Sequence, residues 1–130
     1  MKLNEENYVS AAEDVIQRLM KKTDRNGRPI QVVTTSKIRN LLAMTSDIYN
    51  DVVNSNSEKL SQEVIGRINY LKVRFLYEAG REQGVKNLVE EGNIIEYLGD
   101  IKGSRSNYIC FSRYMEALVA FRKFYISRDE

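Results

Sequence analysis

Arg67, Arg74 and Arg81 stand seven residues apart, and Tyr70 and Tyr77 are interleaved with them at the same interval. On an α-helix seven residues return almost to the starting angle, slipping by about 20° per step. The three arginines therefore line up, with the tyrosines beside them. An Arg–Tyr–Arg–Tyr–Arg line of this kind is roughly 20 Å long at 1.5 Å rise per residue. Guanidinium groups fork onto phosphate oxygens, and tyrosine rings or guanidinium planes stack on bases. The same residues also fit a solvated helix face, with Arg74 and Glu78 as an i, i+4 pair worth a few tenths of a kcal/mol. That side holds three arginines and one acid, where helix surfaces usually mix Lys with Glu.

A second cluster begins another helix. In VTTSKIRNLL (33–42) the residues Thr34, Thr35 and Ser36 suit an N-cap, yet Lys37 and Arg39 follow in the first turn. The amide end of a helix already bears about half a positive charge, so cations there weaken the free helix. Unpaired N–H groups, hydroxyls and Lys37 together can hold an anion such as phosphate. Lys37 and Arg39 point about 200° apart and need not share one phosphate. A simple Thr cap with no ligand fits the stretch as well.

Other chemistries are poorly served. The chain has no histidine, which removes the commonest general base and the commonest metal ligand. No D-x-D type carboxylate cluster stands out, and Glu5-Glu6 and Glu90-Glu91 are adjacent, so helical geometry points their side chains about 100° apart. Neither an enzyme nor a cofactor is expected. The single cysteine, Cys110, cannot form an internal disulfide, and a reducing cytoplasm is the expected location. No apolar run approaches the roughly 20 residues that span a bilayer, and the polar N-terminus does not read as a secretory signal.

Net charge is only +2, but it is segregated. Residues 1–14 set Lys2 against Glu5, Glu6, Glu13 and Asp14, a balance of −3. Residues 82–100 set Lys86 against Glu82, Glu90, Glu91, Glu96 and Asp100, a balance of −4. Residues 67–81 set Arg67, Lys72, Arg74 and Arg81 against Glu78, a balance of +3. Residues 105–128 set Arg105, Arg113, Arg122, Lys123 and Arg128 against Glu116, a balance of +4. Local fields of this kind decide what a surface attracts.

The elements that must carry these residues are helical. With 130 residues, 42% hydrophobic, seven glycines and one proline, the chain reads as a single domain over 1–130. The expected fold is all-α, a compact bundle of about five helices with one long central helix. The first runs from about Tyr8 to Lys22, with Ala11, Ala12, Val15, Ile16, Leu19 and Met20 on its apolar face. A polar loop, 23–32, follows and is expected to be mobile in the free protein. The second helix starts after Thr34 or Thr35 and ends near Asn54. A long third, Glu58 to Glu82, takes Ser57 as its cap and Val64, Ile68, Leu71, Phe75 and Ala79 as its core face. A fourth covers Val85 to Glu91, and a short segment, Ile94–Leu98, continues past Gly92-Asn93. The last, Arg105 to Tyr125, is apolar on more than one side through Phe111, Tyr114, Met115, Leu118 and Phe121, and through Ile109, Val119 and Phe124. A helix of that kind is central to its bundle or covered by a partner. No stretch alternates long enough to make a strand.

Three motifs, TTSKIRNLL (34–42), YLKVRFLYEAGRE (70–82) and RYMEALVAF (113–121), are similar to the small subunit of the type III-A CRISPR–Cas effector, the Csm complex. The similarity runs from NYVSAAEDVI (7–16) to KFY (123–125). The resemblance implies a small all-helical protein whose copies stack head to tail beside the repeated backbone subunits of an RNA-guided complex. It implies contact with the backbone of target RNA along the guide RNA–target duplex. Target cleavage would belong to the backbone subunit, and DNA cleavage and cyclic oligoadenylate synthesis to the large signalling subunit. The matching basic positions are Lys37, Arg39, Lys72, Arg74, Arg81 and Arg113, with Arg67 just before the second motif on the same helical line and Tyr70 and Tyr77 placed to stack. Lys72 is expected at the edge of the core face with its stem covered. Arg122 departs from the family pattern, where histidine is more usual. The alternatives are a helical protein-interaction scaffold, and a DNA-binding helical regulator, for which the third helix is long and the NSNS connection polar.

Overall fold

A computed structural model describes residues 2–126 of the chain; Arg128 lies outside the described residues. Six helices follow one another: α1 (Tyr8–Lys21), α2 (Thr35–Val53), α3 (Gln62–Arg81), α4 (Gln83–Glu91), α5 (Ile94–Gly99) and α6 (Arg105–Tyr125). The fold is all-α as the sequence implies. Among the described residues there is no strand, only isolated bridges between Thr23 and Pro29 and between Lys59 and Ser104.

The longest helix is α6, with 21 residues, and it packs along both α1 and α2. Its heavy apolar content is explained by this double packing. Tyr108, Phe111, Tyr114, Met115 and Leu118 are all buried, with Tyr97 set edge-on against Tyr114 at 5.2 Å between ring centres. The two buried tyrosines complete backbone groups. Tyr108 Oη donates to Thr45 O at 2.7 Å, and Tyr114 Oη donates to Gly92 O at 2.8 Å. Of the extra apolar side, Phe124 stays exposed. On the other flank, α3 lies against α4, α2 and α5. Its core face is the expected one, with Ile68, Leu71, Phe75 and Ala79 buried and Val64 half-buried. On α1, Met20 is exposed and does not join the core.

Two helix starts differ from expectation. The third helix begins at Gln62 with Ser61 as its cap, whose hydroxyl accepts from Val64 N, and not after Ser57. Residues 58–60 are otherwise engaged. Glu58 accepts from the Ser104 and Ser106 hydroxyls and from Ser106 N, so it closes the N-terminus of α6. Leu60 N donates to Gly103 O and Arg105 N to Glu58 O. These long-range bonds outcompete one more helical turn. Likewise α4 begins at Gln83, and Asn93, at φ 50°, makes the left-handed break that separates α4 from α5.

The 23–32 loop carries local hydrogen bonds of its own. The Asp24 carboxylate accepts from Asn26 N and Arg28 N, Gly27 takes φ 77°, and Ile30 N returns to Lys22 O. Its continuation, 31–33, lies on the start of α4. There a Cβ on Gly84 would meet the Val33 backbone at 3.1 Å. A side chain at this position would push the Val33 backbone away, and glycine avoids that.

Candidate nucleic-acid interface

The arginine line is present along α3, and each of its members is paired with an acid. Relative to the buried stripe of α3, Tyr70, Val73, Leu76 and Tyr77 form the outward crest, and all four are exposed. The arginines flank this crest on the side of α2. Arg67 is ion-paired with Asp51 of α2 and donates through Nη2 to Asp47 O at 3.2 Å. Arg74 and Arg81 share one acid, Glu78. Arg74 Nη2 lies 3.8 Å from Oε2, and Arg81 Nη1 lies 3.5 Å from Oε1. Glu78 is not a surface residue: it is 4% exposed. The Arg81 guanidinium also sits 5.5 Å from the centre of the Tyr77 ring, a cation–π distance.

Because α2 packs on α3 with its C-terminal half beside Arg67 and its first turn beside Glu82, the two helices run antiparallel. This brings Lys37 to the end of the arginine line, where its Nζ lies 3.8 Å from Glu82 Oε1. The Thr34 hydroxyl caps the helix by accepting from Lys37 N at 3.2 Å. The seam thus holds four cations, Lys37, Arg67, Arg74 and Arg81, against three paired acids, Asp51, Glu78 and Glu82. A groove of about 540 Å³ opens beside its Arg67–Arg74 part, lined among others by Met44, Asp47, Glu63, Arg67, Tyr70 and Arg74. Arg39 is exposed beside Thr35 and Ser36 at the head of α2.

Two residues do not join the seam. Lys72 is exposed and points about 160° from Arg74 around α3, towards the other flank; its stem is not covered as expected. Arg113 is exposed on α6, which packs on α1, α2 and α5. Two cations of the 105–128 stretch are engaged within the fold. Arg105 donates to Val52 O and Val53 O and so closes the C-terminal end of α2. Arg122 is 2% exposed, with Nε donating to Val33 O and Nη1 to Ile126 O, both at 2.9 Å. Among the described residues no group of three or more His, Cys, Asp or Glu could hold a metal ion. Nor is any helix long and apolar enough to cross a membrane.

The profile of the family described as Csm2 Type III-A matches residues 13–128, which takes in α2, α3 and the whole seam. The chain belongs to this Csm2 family. Among proteins named "CRISPR system Cms protein Csm2", that of Streptococcus thermophilus is 44% identical over 127 residues, 98% of each chain. That of Mycobacterium tuberculosis is 36% identical over 130 residues, the full length of both. That of Enterococcus italicus is 37% identical over 125 residues, covering 91% of this chain and 89% of that protein. Sequence reading paired Glu78 with Arg74 but missed that Arg81 shares this buried acid, and it missed Asp51 as the partner of Arg67. The signal was available for Glu78: at i+4 from Arg74 and i−3 from Arg81 it can reach both. For Asp51 there was none, since only the packing of α2 on α3 brings it to Arg67.

Proposed function

We propose that the chain is the non-catalytic small subunit of a type III-A CRISPR ribonucleoprotein, one helical domain that holds the backbone of target RNA along the α2–α3 seam. The observation that carries this reading is the convergence of Lys37 with Arg67, Arg74 and Arg81 from two antiparallel helices beside the exposed rings of Tyr70 and Tyr77. Arginine forks suit phosphate, and the tyrosines offer stacking surfaces that tolerate any base. Sequence specificity is left to pairing between guide RNA and target. Arg39 extends the seam at the α2 terminus, while Lys72 and Arg113 serve other contacts. Partners are the guide and target RNA, the backbone and large signalling subunits, and further copies of the chain, assembled in the cytoplasm.

With the four seam cations already facing three acids inside the chain, one copy has little net charge to offer and binds RNA weakly. Copies lined up along one duplex bind tightly through effective concentration. The test is Arg74→Ala with Arg81→Ala in the assembled complex. Target RNA affinity falls, and the slope of log affinity against log salt falls by about 0.7–0.9 for each phosphate that is no longer neutralised. Unchanged affinity would refute the reading. A protein-interaction scaffold is the second reading. The exposure of Val73 and Leu76 between the tyrosines favours it, because aliphatic side chains gain nothing from phosphates. In that case Val73→Ser with Leu76→Ser disrupts assembly and leaves the RNA affinity of intact complexes unchanged.

A further inference from the structure

Glu78 is the one acid of the seam whose carboxylate is buried, and it faces two arginines at once. We propose that Glu78 is a positioning residue for RNA backbone binding, a fixed internal anchor that holds the Arg74 and Arg81 guanidinium groups side by side and facing outward. The proposal rests on the reading of the seam as the RNA-binding surface.

The geometry separates this from an ordinary surface ion pair. The Glu78 side chain is 5% exposed, whereas those of Arg74 and Arg81 are 43% and 50% exposed. One end of each ion pair is therefore fixed by packing while the other reaches solvent. The separations are long, 3.8 and 3.5 Å, so neither is a forked, bidentate pair. A guanidinium has five N–H donors. Held at one edge by Glu78, each arginine keeps most of them for an incoming acceptor. Arg81 has a second restraint in the Tyr77 ring. Arg74 is incompletely satisfied: its Nε is buried with no hydrogen-bond partner. A buried donor without an acceptor is costly, and a phosphate oxygen is the kind of acceptor that a small outward shift of the side chain would give it. Exposed arginines lose rotamer freedom when they bind, and two arginines held by a common anchor lose less.

The experiment compares Glu78→Gln with the parent in the assembled complex, with complementary target RNA as probe, across a salt series, and repeats it in an Arg74→Ala/Arg81→Ala background. Positioning predicts that Glu78→Gln weakens binding about 3–10-fold with the salt slope unchanged, since the same phosphates are still met. It predicts that the loss disappears in the arginine-free background. Glu78→Asp, which keeps the charge but shortens the reach, falls in between. Tighter binding with a steeper slope would overturn the proposal, for then Glu78 merely subtracts charge. An equal loss in the arginine-free background would also overturn it, for then the residue serves only folding. The seam reading stands or falls separately, on whether Arg74→Ala/Arg81→Ala itself weakens binding.

Discussion

Tyr108 and Tyr114 each commit a buried hydroxyl to a backbone carbonyl, and each loses something specific when changed. Tyr108→Phe removes the second donor to Thr45 O, which keeps its helical partner within α2, and Tyr114→Phe removes the hydroxyl donor to Gly92 O. Each change costs about 0.5–1.5 kcal/mol, read as a lower urea midpoint at unchanged slope. Burial holds both phenols well above the ordinary value near 10. Since the folded state keeps these protons more tightly than the unfolded chain, their contribution is intact below about pH 10 and is lost as pH rises beyond it. Melting temperature therefore declines above that point, and the double Phe variant declines less steeply. At the acid end Glu91, hydrogen-bonded by Lys22 and Arg18, and Glu58, hydrogen-bonded by Ser104 and Ser106, have lowered pKa values. Their contribution is present above the ordinary carboxylate range and disappears as pH falls through the lowered values. Among the seam residues, the alignment of Arg67, Arg74 and Arg81 was legible because periodicity alone fixes it. The burial of Arg122 was not, because its acceptors, Val33 O and Ile126 O, come together only in the folded chain.

At the level of elements, Gly84 and the caps are the sensitive points. Gly84→Ala pushes a methyl group to 3.1 Å from the Val33 backbone, so α4 and the 31–33 segment must separate. The expected loss is about 1–3 kcal/mol, with faster amide exchange at the start of α4. Ser61→Ala removes the cap of α3 and costs about 1 kcal/mol, whereas Ser57→Ala costs much less. That contrast tests the helix start directly. The identity and order of the helices were readable from apolar spacing, and the first and last helices ended within a residue of their expected limits. The start of α3 was misread because a Ser-Glu pair fits an N-terminus wherever it occurs. Here Glu58 caps a different helix, α6, 46 residues away from it at Ser104.

For the whole molecule, segregated charge in the sequence overstated what the surface offers. Arg105 and Arg122 belong to the interior framework, and the seam cations are paired with acids of the same chain. Arg113→Ala, on the α6 side, should therefore change target RNA affinity less than Arg74→Ala; filter binding on assembled complexes compares the two. The same framework bears on chain continuity. Arg105 grips the carbonyls of Val52 and Val53, while Glu58 grips Ser104 and Ser106, so both banks of the 54–57 connection are moored to one place at the head of α6. The connection itself then adds little to the hold between the halves. A protease cut within it should yield two fragments that travel together on a sizing column and part only in denaturant.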